Sequence, residues 1–218
     1  MVPNISGFDQ IVMPGDNHCG YHATIFGLKQ INHPALDRSL SLKDQILFLK
    51  SILIKTYEEK GYISRARLLR LHPNEWLNDR DLGILADYFH ICIEVYDTRI
   101  AEATKYQNES DFIVPTFTSI GPDDCTEKIY LVQKPNHFDY LHPKGSILHE
   151  TLPTRLPLSK KDIEDYLKKD TFQQDVVPLE TLTKERSLVE EDDKDFLSRR
   201  KTTIALKHSY KDVVARKH

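Results

Sequence analysis

IVMPGDNHCGYHATIFGL, residues 11–28, runs from an apolar start through a sharp turn into a helix. Ile11, Val12 and Met13 come first, Pro14-Gly15-Asp16-Asn17 makes the turn, and a helix is expected from about Cys19 through Ala23, Phe26 and Gly27. That order puts a thiol at a helix start. Unpaired N–H groups and the positive end of the helix dipole favour thiolate there, drawing a cysteine pKa below its free value of about 8.5. The same N–H groups can hold an oxyanion formed when sulfur attacks a carbonyl. Against this stands the commoner role of a free cysteine as a small buried hydrophobe, and Cys19 alone does not decide between the two.

A partner for the thiol lies more than a hundred residues downstream. Lys128 to Gln133 (KIYLVQ) reads as a strand, Lys134-Pro135-Asn136 as a turn and His137 to Leu141 as a second strand, so the two form a hairpin. Side chains two apart on a strand share a face, which sets His137 beside Asp139 and sends Phe138 into a core. The expectation is that Asp139 accepts the Nδ1 proton of the imidazole, leaving Nε2 to take a proton from a thiol. Cys, His and Asp then make a nucleophile, a base and the group that orients it. A His-x-Asp on its own is more often a surface pair.

Between these ends the chain reads as helices and one buried strand. Ser41 with Asp44 three residues on is a capping signal, followed by Leu42, Ile46, Leu49, Leu53 and Tyr57 at helical spacing and a stop at Gly61. A shorter helix is expected from Tyr62 to Leu71, with Arg65, Arg67 and Arg70 on a solvated face. Trp76, read as core packing, precedes Asn78 as an N-cap with Asp79 and Asp81 in the first turn; Leu82, Leu85, Ala86 and Phe89 follow. Ile91 to Tyr96 reads as a strand with Cys92 as buried filler. The polar segment Thr98 to Thr126, broken by an apolar island at Phe112-Ile113-Val114, reads as a long connection in which Cys125 is exposed.

Composition narrows the class. The 218 residues carry a net charge of -3, with a pI near 6.4, so nothing in the charge balance favours nucleic acid. Three cysteines without a CxxC pair argue against a disulfide framework and for a reducing compartment. The start, MVPNISGFDQ, resembles no Sec-type signal, and no apolar run is long enough to span a membrane. The last 68 residues hold 15 of the 30 Lys and Arg and 13 of the 33 Asp and Glu. We therefore divide the chain into a domain over 1–150 and a charged helical extension or linker over 151–218. One helix is expected from Ser159 to Lys169, and one or two more between Leu182 and Ala215. Cys19, His22, Cys125 and His137 contain the residue types of a zinc site, but they lack the paired short spacings such sites use. His142 and His149 read as exposed.

In combination these pieces resemble the ovarian tumour (OTU) family of cysteine deubiquitinases. The resemblance is carried by GDNHCGYHATIFGL, then EWLNDRDLGILADYFHICIEVYD, then KIYLVQ and NHFDYL, in that order from about Ile11 to Pro143. It implies an α+β papain-type fold, a small central β-sheet flanked by helices, here with a helical C-terminal extension. It implies Cys19 as nucleophile, His137 as general base, Asp139 as the third member, and Asp16 as the loop aspartate that shapes an oxyanion hole with the Cys19 N–H. No cofactor or metal is implied. It makes 1–150 the catalytic domain and 151–218 an accessory ubiquitin-binding lobe, and the partners it implies are ubiquitin, polyubiquitin chains and ubiquitinated proteins, met in the cytoplasm or, for a secreted effector, in a host cytosol. The family's usual Gly-Asn before the cysteine is Asn17-His18 here, so the loop has to turn without a glycine, and Asn is the residue that best tolerates it. A ubiquitin-binding module of the same fold with weak catalysis, and a papain-like protease acting on another protein or modifier, remain the alternatives.

Overall fold

A computed structural model describes residues 5–98, 117–148 and 150–169. Within them the order is β1 (Phe8–Ile11), α1 (Cys19–Gln30), α2 (Leu42–Glu59), α3 (Ile63–Leu71), α4 (Asp79–Phe89), β2 (Cys92–Asp97), β3 (Phe117–Ile120), β4 (Lys128–Lys134), β5 (His137–Pro143) and α5 (Lys160–Lys169). The helix starts follow local chemistry. The Ser41 hydroxyl accepts the Asp44 N–H, and Asn78 and Asp81 form a reciprocal capping box at α4. Past α2 the chain turns at Gly61 with φ +80°, a conformation that glycine adopts without strain.

The five strands form one mixed sheet in the order β1-β5-β4-β2-β3. β2 and β4 run parallel, and the other neighbours are antiparallel. The fold is α+β. Alternation along the strands sends Ile129 and Leu131 of β4, Ile93 and Val95 of β2, and Phe138 and Tyr140 of β5 into the main core, beneath the helices. Tyr96, Val132 and Leu141 take the opposite face, where they join Ile5 and the rings of Phe8, Phe117 and Tyr130. α1 lies across β4 and β5 at Gly27, where a Cβ would come within 2.9 Å of Ile129 and 3.1 Å of Tyr140. Glycine lets the helix sit that close, and so fixes how far the Cys19 end reaches over the sheet.

Several expectations are corrected. β3 lies inside the segment read as a connection, because pairing with β2 supplies order that a four-residue run within a polar segment does not show by itself. The Phe112-Ile113-Val114 island, His149 and the helices expected after Leu182 fall outside the described residues. Cys92 and Cys125 form a disulfide with Cα atoms 5.7 Å apart, against the expectation of none. Cys92 pairs with Lys128 in the parallel ladder, so the chain entering β4 passes beside it. Arg65 is not on a solvated face: it pairs with Glu75 and Asp81. Arg70 pairs with Glu58. Trp76 is 37% exposed rather than packed in the core. His142 is buried, with Nε2 against the Ser146 carbonyl. Past the hairpin, Leu158, Ile163 and Leu167 join the main core against α2 and α3, and Lys43 Nζ meets Asp162 at 2.6 Å. No helix among the described residues is long and apolar enough to cross a membrane.

Candidate active site

The site forms where a strand stops. β1 pairs with β5 only as far as Ile11 opposite Tyr140, and beyond that point the edge of β5 lies open. On that open edge the Phe138 N–H donates to Cys19 Sγ at 3.4 Å, so the sulfur lies against the His137-Phe138 peptide. Met13, two residues past β1, gives its N–H to Asp139 Oδ1 at 2.7 Å instead of continuing the ladder. The chain then turns through Asp16 and Asn17 into α1, with Cys19 as its first residue.

Asn17 stands at φ 67°, the left-handed conformation expected of it. Asp16 holds this turn with both carboxylate oxygens. Oδ1 accepts the His18 N–H at 3.0 Å, and Oδ2 accepts from His22 Nε2 at 2.9 Å and from the Leu156 N–H at 3.0 Å. Burial raises its pKa, but the bonds from His22, Leu156 and His18 outweigh that and leave it below the usual aspartate value. The strap leading to α5 is thereby tied to the turn before Cys19. Replacing Asp16 with alanine strands the His22 nitrogen and two N–H groups. That loosens the turn over a cysteine only 5% exposed and removes a negative charge that helps hold its pKa up, so the expected result is faster alkylation of Cys19 at pH 8, in a protein whose circular dichroism is unchanged.

The first intrahelical bond of α1 runs from the His22 N–H to the His18 carbonyl at 2.9 Å, so the N–H groups of Cys19, Gly20 and Tyr21 precede it. Gly20 packs closely under Leu77: a Cβ there would lie 3.1 Å from that side chain, which would have to shift to make room. Leu77 belongs to the turn between α3 and α4, which is pinned from three sides. His18 Nε2 donates to the Pro73 carbonyl at 2.9 Å, Arg65 Nη2 to the Trp76 carbonyl at 2.7 Å, and Lys50 Nζ to the Glu75 carbonyl at 3.5 Å. Lys50 is fully buried with its ammonium 4.5 Å from the Tyr21 ring centroid, and burial above all pulls its pKa down to about 7.

His137 and Asp139 share a face as expected, with Phe138 buried on the other. The ring nitrogen facing Asp139 is corrected: Nε2 meets Oδ1 at 2.8 Å, and Nδ1 is left for proton exchange. Asp139 is completely buried yet takes four donors. Besides Met13 and His137 on Oδ1, Oδ2 receives Gln10 Nε2 at 2.5 Å and Lys134 Nζ at 2.6 Å. Burial pushes its pKa up, but the bonds from Lys134 and Met13 and the neighbouring His137 outweigh this, and the carboxyl rests below the usual aspartate value. Cys19 goes the other way from expectation. Burial raises its pKa, the nearby charges of Asp139 and Asp16 add to that, and the N–H groups of Phe138 and Gly20 offset only part of it.

Of the four residues singled out from the sequence, Cys19 lies against the Phe138 N–H, His137 is tied to Asp139, and Asp16 holds the turn before Cys19, while His22 is engaged by Asp16 and Cys125 by Cys92. Gln10, Lys50 and Lys134 were missed. Only Lys134 carried a local signal: in a hairpin closed by the two residues Pro135 and Asn136, the flanking residues 134 and 137 face each other.

No family model matches the chain, and no curated protein matches it. Solved structures do. Structures of OTU domains are among the matches. An OTU domain in complex with ubiquitin has 15% identity and a TM-score of 0.47, covering 77% of this chain and 90% of that one. The viral OTU domain protease from Taggert virus has 18% identity and a TM-score of 0.43, covering 64% and 82%. The Hazara virus OTU bound to ubiquitin has 14% identity and a TM-score of 0.41, covering 64% and 83%.

Proposed function

We propose that the protein is a thiol-dependent deubiquitinase, an isopeptidase that cleaves after the C-terminal glycine of ubiquitin. The observation that carries the reading is a thiol at a helix start, held at 3.4 Å by the N–H of Phe138, the residue next to an imidazole that a buried carboxylate holds at 2.8 Å. Ubiquitin as the substrate rests on the sequence resemblance to OTU enzymes. Cys19 passes its proton to His137 and its sulfur attacks the glycine carbonyl. The N–H groups of the first turn of α1, with the turn shaped by Asp16, hold the resulting oxyanion. As the carbonyl re-forms, the C–N bond breaks and His137 gives its proton to the departing lysine amine. A water deprotonated by the same imidazole then hydrolyses the thioester, freeing the glycine carboxylate and the thiol. Asp139 orients the ring throughout and stabilises its charged form.

One observation favours the second reading, a ubiquitin-binding module with weak catalysis: Cys19 is only 5% exposed, and burial pushes its thiol pKa up from the ordinary value. A single experiment separates the two. Ubiquitin bearing a C-terminal electrophile is mixed with the wild-type chain and followed by intact mass. One ubiquitin added to wild type, none to Cys19→Ala, and a rate about a hundredfold lower for His137→Ala is the expected result. A folded wild type that binds ubiquitin without forming an adduct would leave only the binding module. No adduct and no binding would move the substrate to another modifier or protein.

A further inference from the structure

Asp139 is held by more than a triad needs. An orienting carboxylate requires one bond to the imidazole and enough support to stay in place, which Met13 and Gln10 supply. Lys134 adds a full positive charge 2.6 Å from the other oxygen, at a carboxylate with no exposed surface. The geometry follows from the register: Lys134 stands directly opposite His137, and Val132 opposite Asp139, so the Lys134, His137 and Asp139 side chains occupy one face of the hairpin. The ammonium and the imidazole therefore share one carboxylate, each on its own oxygen.

We propose that Lys134 is a positioning residue of this site, which locks Asp139 in place and, by neutralising its charge, limits how far the carboxylate stabilises the protonated imidazole. This rests on the reading of Cys19, His137 and Asp139 as a catalytic set and adds to it a member that never touches substrate. The charged and polar groups around the pair come from three elements. Lys134 comes from β4, Gln10 and the Met13 N–H from β1 and the turn beyond it, and the Cys19 thiol from α1. Of these, Lys134 alone brings a permanent positive charge. A carboxylate bonded to an ammonium presents the imidazole with something close to a dipole, and a dipole favours a neighbouring cation less than a bare negative charge does. The consequence is a carboxylate that holds the ring in place while adding less to its charged form than an unpaired aspartate would.

The test is the titration of the His137 ring by NMR in a Cys19→Ala background, where no thiol couples to it; the resonance is assigned by its loss in His137→Gln. Lys134→Met should move the midpoint up by about one pH unit, the size of effect a charge a few ångströms away produces. Lys134→Gln keeps a donor for Oδ2 without the charge and should move it similarly, while Lys134→Arg should leave it in place. Gln10→Met, which removes a donor but no charge, should leave it unmoved too. Midpoints that coincide in wild type, Lys134→Met and Lys134→Gln would overturn the proposal, and so would a shift in Lys134→Arg as large as in Lys134→Met. Because no ubiquitin enters this measurement, its outcome stands apart from that of the adduct experiment.

Discussion

Replacing Asp139 with alanine lowers the rate of ubiquitin adduct formation at Cys19 by about three orders of magnitude and destabilises the fold at the same time. The rate falls because the imidazole loses the acceptor on Nε2 that sets its tautomer and holds Nδ1 available. Stability falls because four donors lose a common acceptor, among them the Lys134 ammonium, whose side chain is only 23% exposed. Breaking a buried ion pair by removing one partner costs about 3–5 kcal/mol. Partial solvent access to Lys134 brings the expected loss to the lower end, measured by urea unfolding at pH 7. The pH dependence gives a second check. The Asp139 pKa is depressed in the folded state, so its contribution to stability is present above the unfolded aspartate value and is lost as pH falls through the folded one. Wild type should therefore lose more stability than Asp139→Ala as pH is lowered below about 4, and parallel curves would contradict the role assigned to the carboxylate. Asparagine is not an easy substitute here. Its amide can still accept from His137 and Met13, but its NH₂ would then face Lys134 Nζ, so the ammonium makes this position specific for aspartate.

What the chain declared in advance, and what it hid, divides by range. Ser41 with Asp44 and Asn78 with Asp81 are contacts between residues three apart, fixed by helix geometry, and they were legible without any knowledge of the rest. The shared face of His137 and Asp139 was legible for the same reason, since strand alternation is local. The ring nitrogen that meets Asp139 was not, because it depends on how the imidazole rotates against a backbone already pinned by Cys19 and Met13. The Cys19 pKa went astray on magnitude: the helix start acts as argued, but the sulfur is only 5% exposed, and burial wins. Arg65, Trp76 and His142 were misjudged through their neighbours. An arginine on a short helix looks solvated until an aspartate 16 residues on turns its cap toward it. The Cys92 and Cys125 pair was hidden because a parallel strand pairing, invisible in the local pattern, brings them together.

Asp81 carries the largest expected effect on stability alone. It is fully buried, and its two oxygens accept the Tyr57 hydroxyl at 2.6 Å, Arg65 Nη2 at 2.5 Å and the Asn78 N–H at 2.8 Å. One carboxylate thus joins α2, α3 and the start of α4. Asp81→Ala removes half of the capping box, worth about 1 kcal/mol by itself. It also orphans a buried phenol and leaves the Arg65 guanidinium, 14% exposed, short of its main counter-charge. A loss of about 3–5 kcal/mol is expected, which for a domain of this size lowers the midpoint of thermal unfolding by about 10–15 °C. The double variant Arg65→Met with Asp81→Ala should recover part of the loss, because no charge is then stranded. Calorimetry of the single and double variants decides the matter: a single variant within about 3 °C of wild type, a drop of roughly 1 kcal/mol, would mean that water already reaches Arg65 and that the network contributes little. The effect reaches the site through the same arginine. Arg65 also holds Glu75 and the Trp76 carbonyl, and the next residue, Leu77, packs against Gly20 directly after Cys19. A guanidinium that loses Asp81 turns toward water and releases that wall. Alkylation of Cys19 should then quicken in the folded Asp81→Ala protein well below its unfolding temperature, as the turn packed against Gly20, directly after Cys19, loosens.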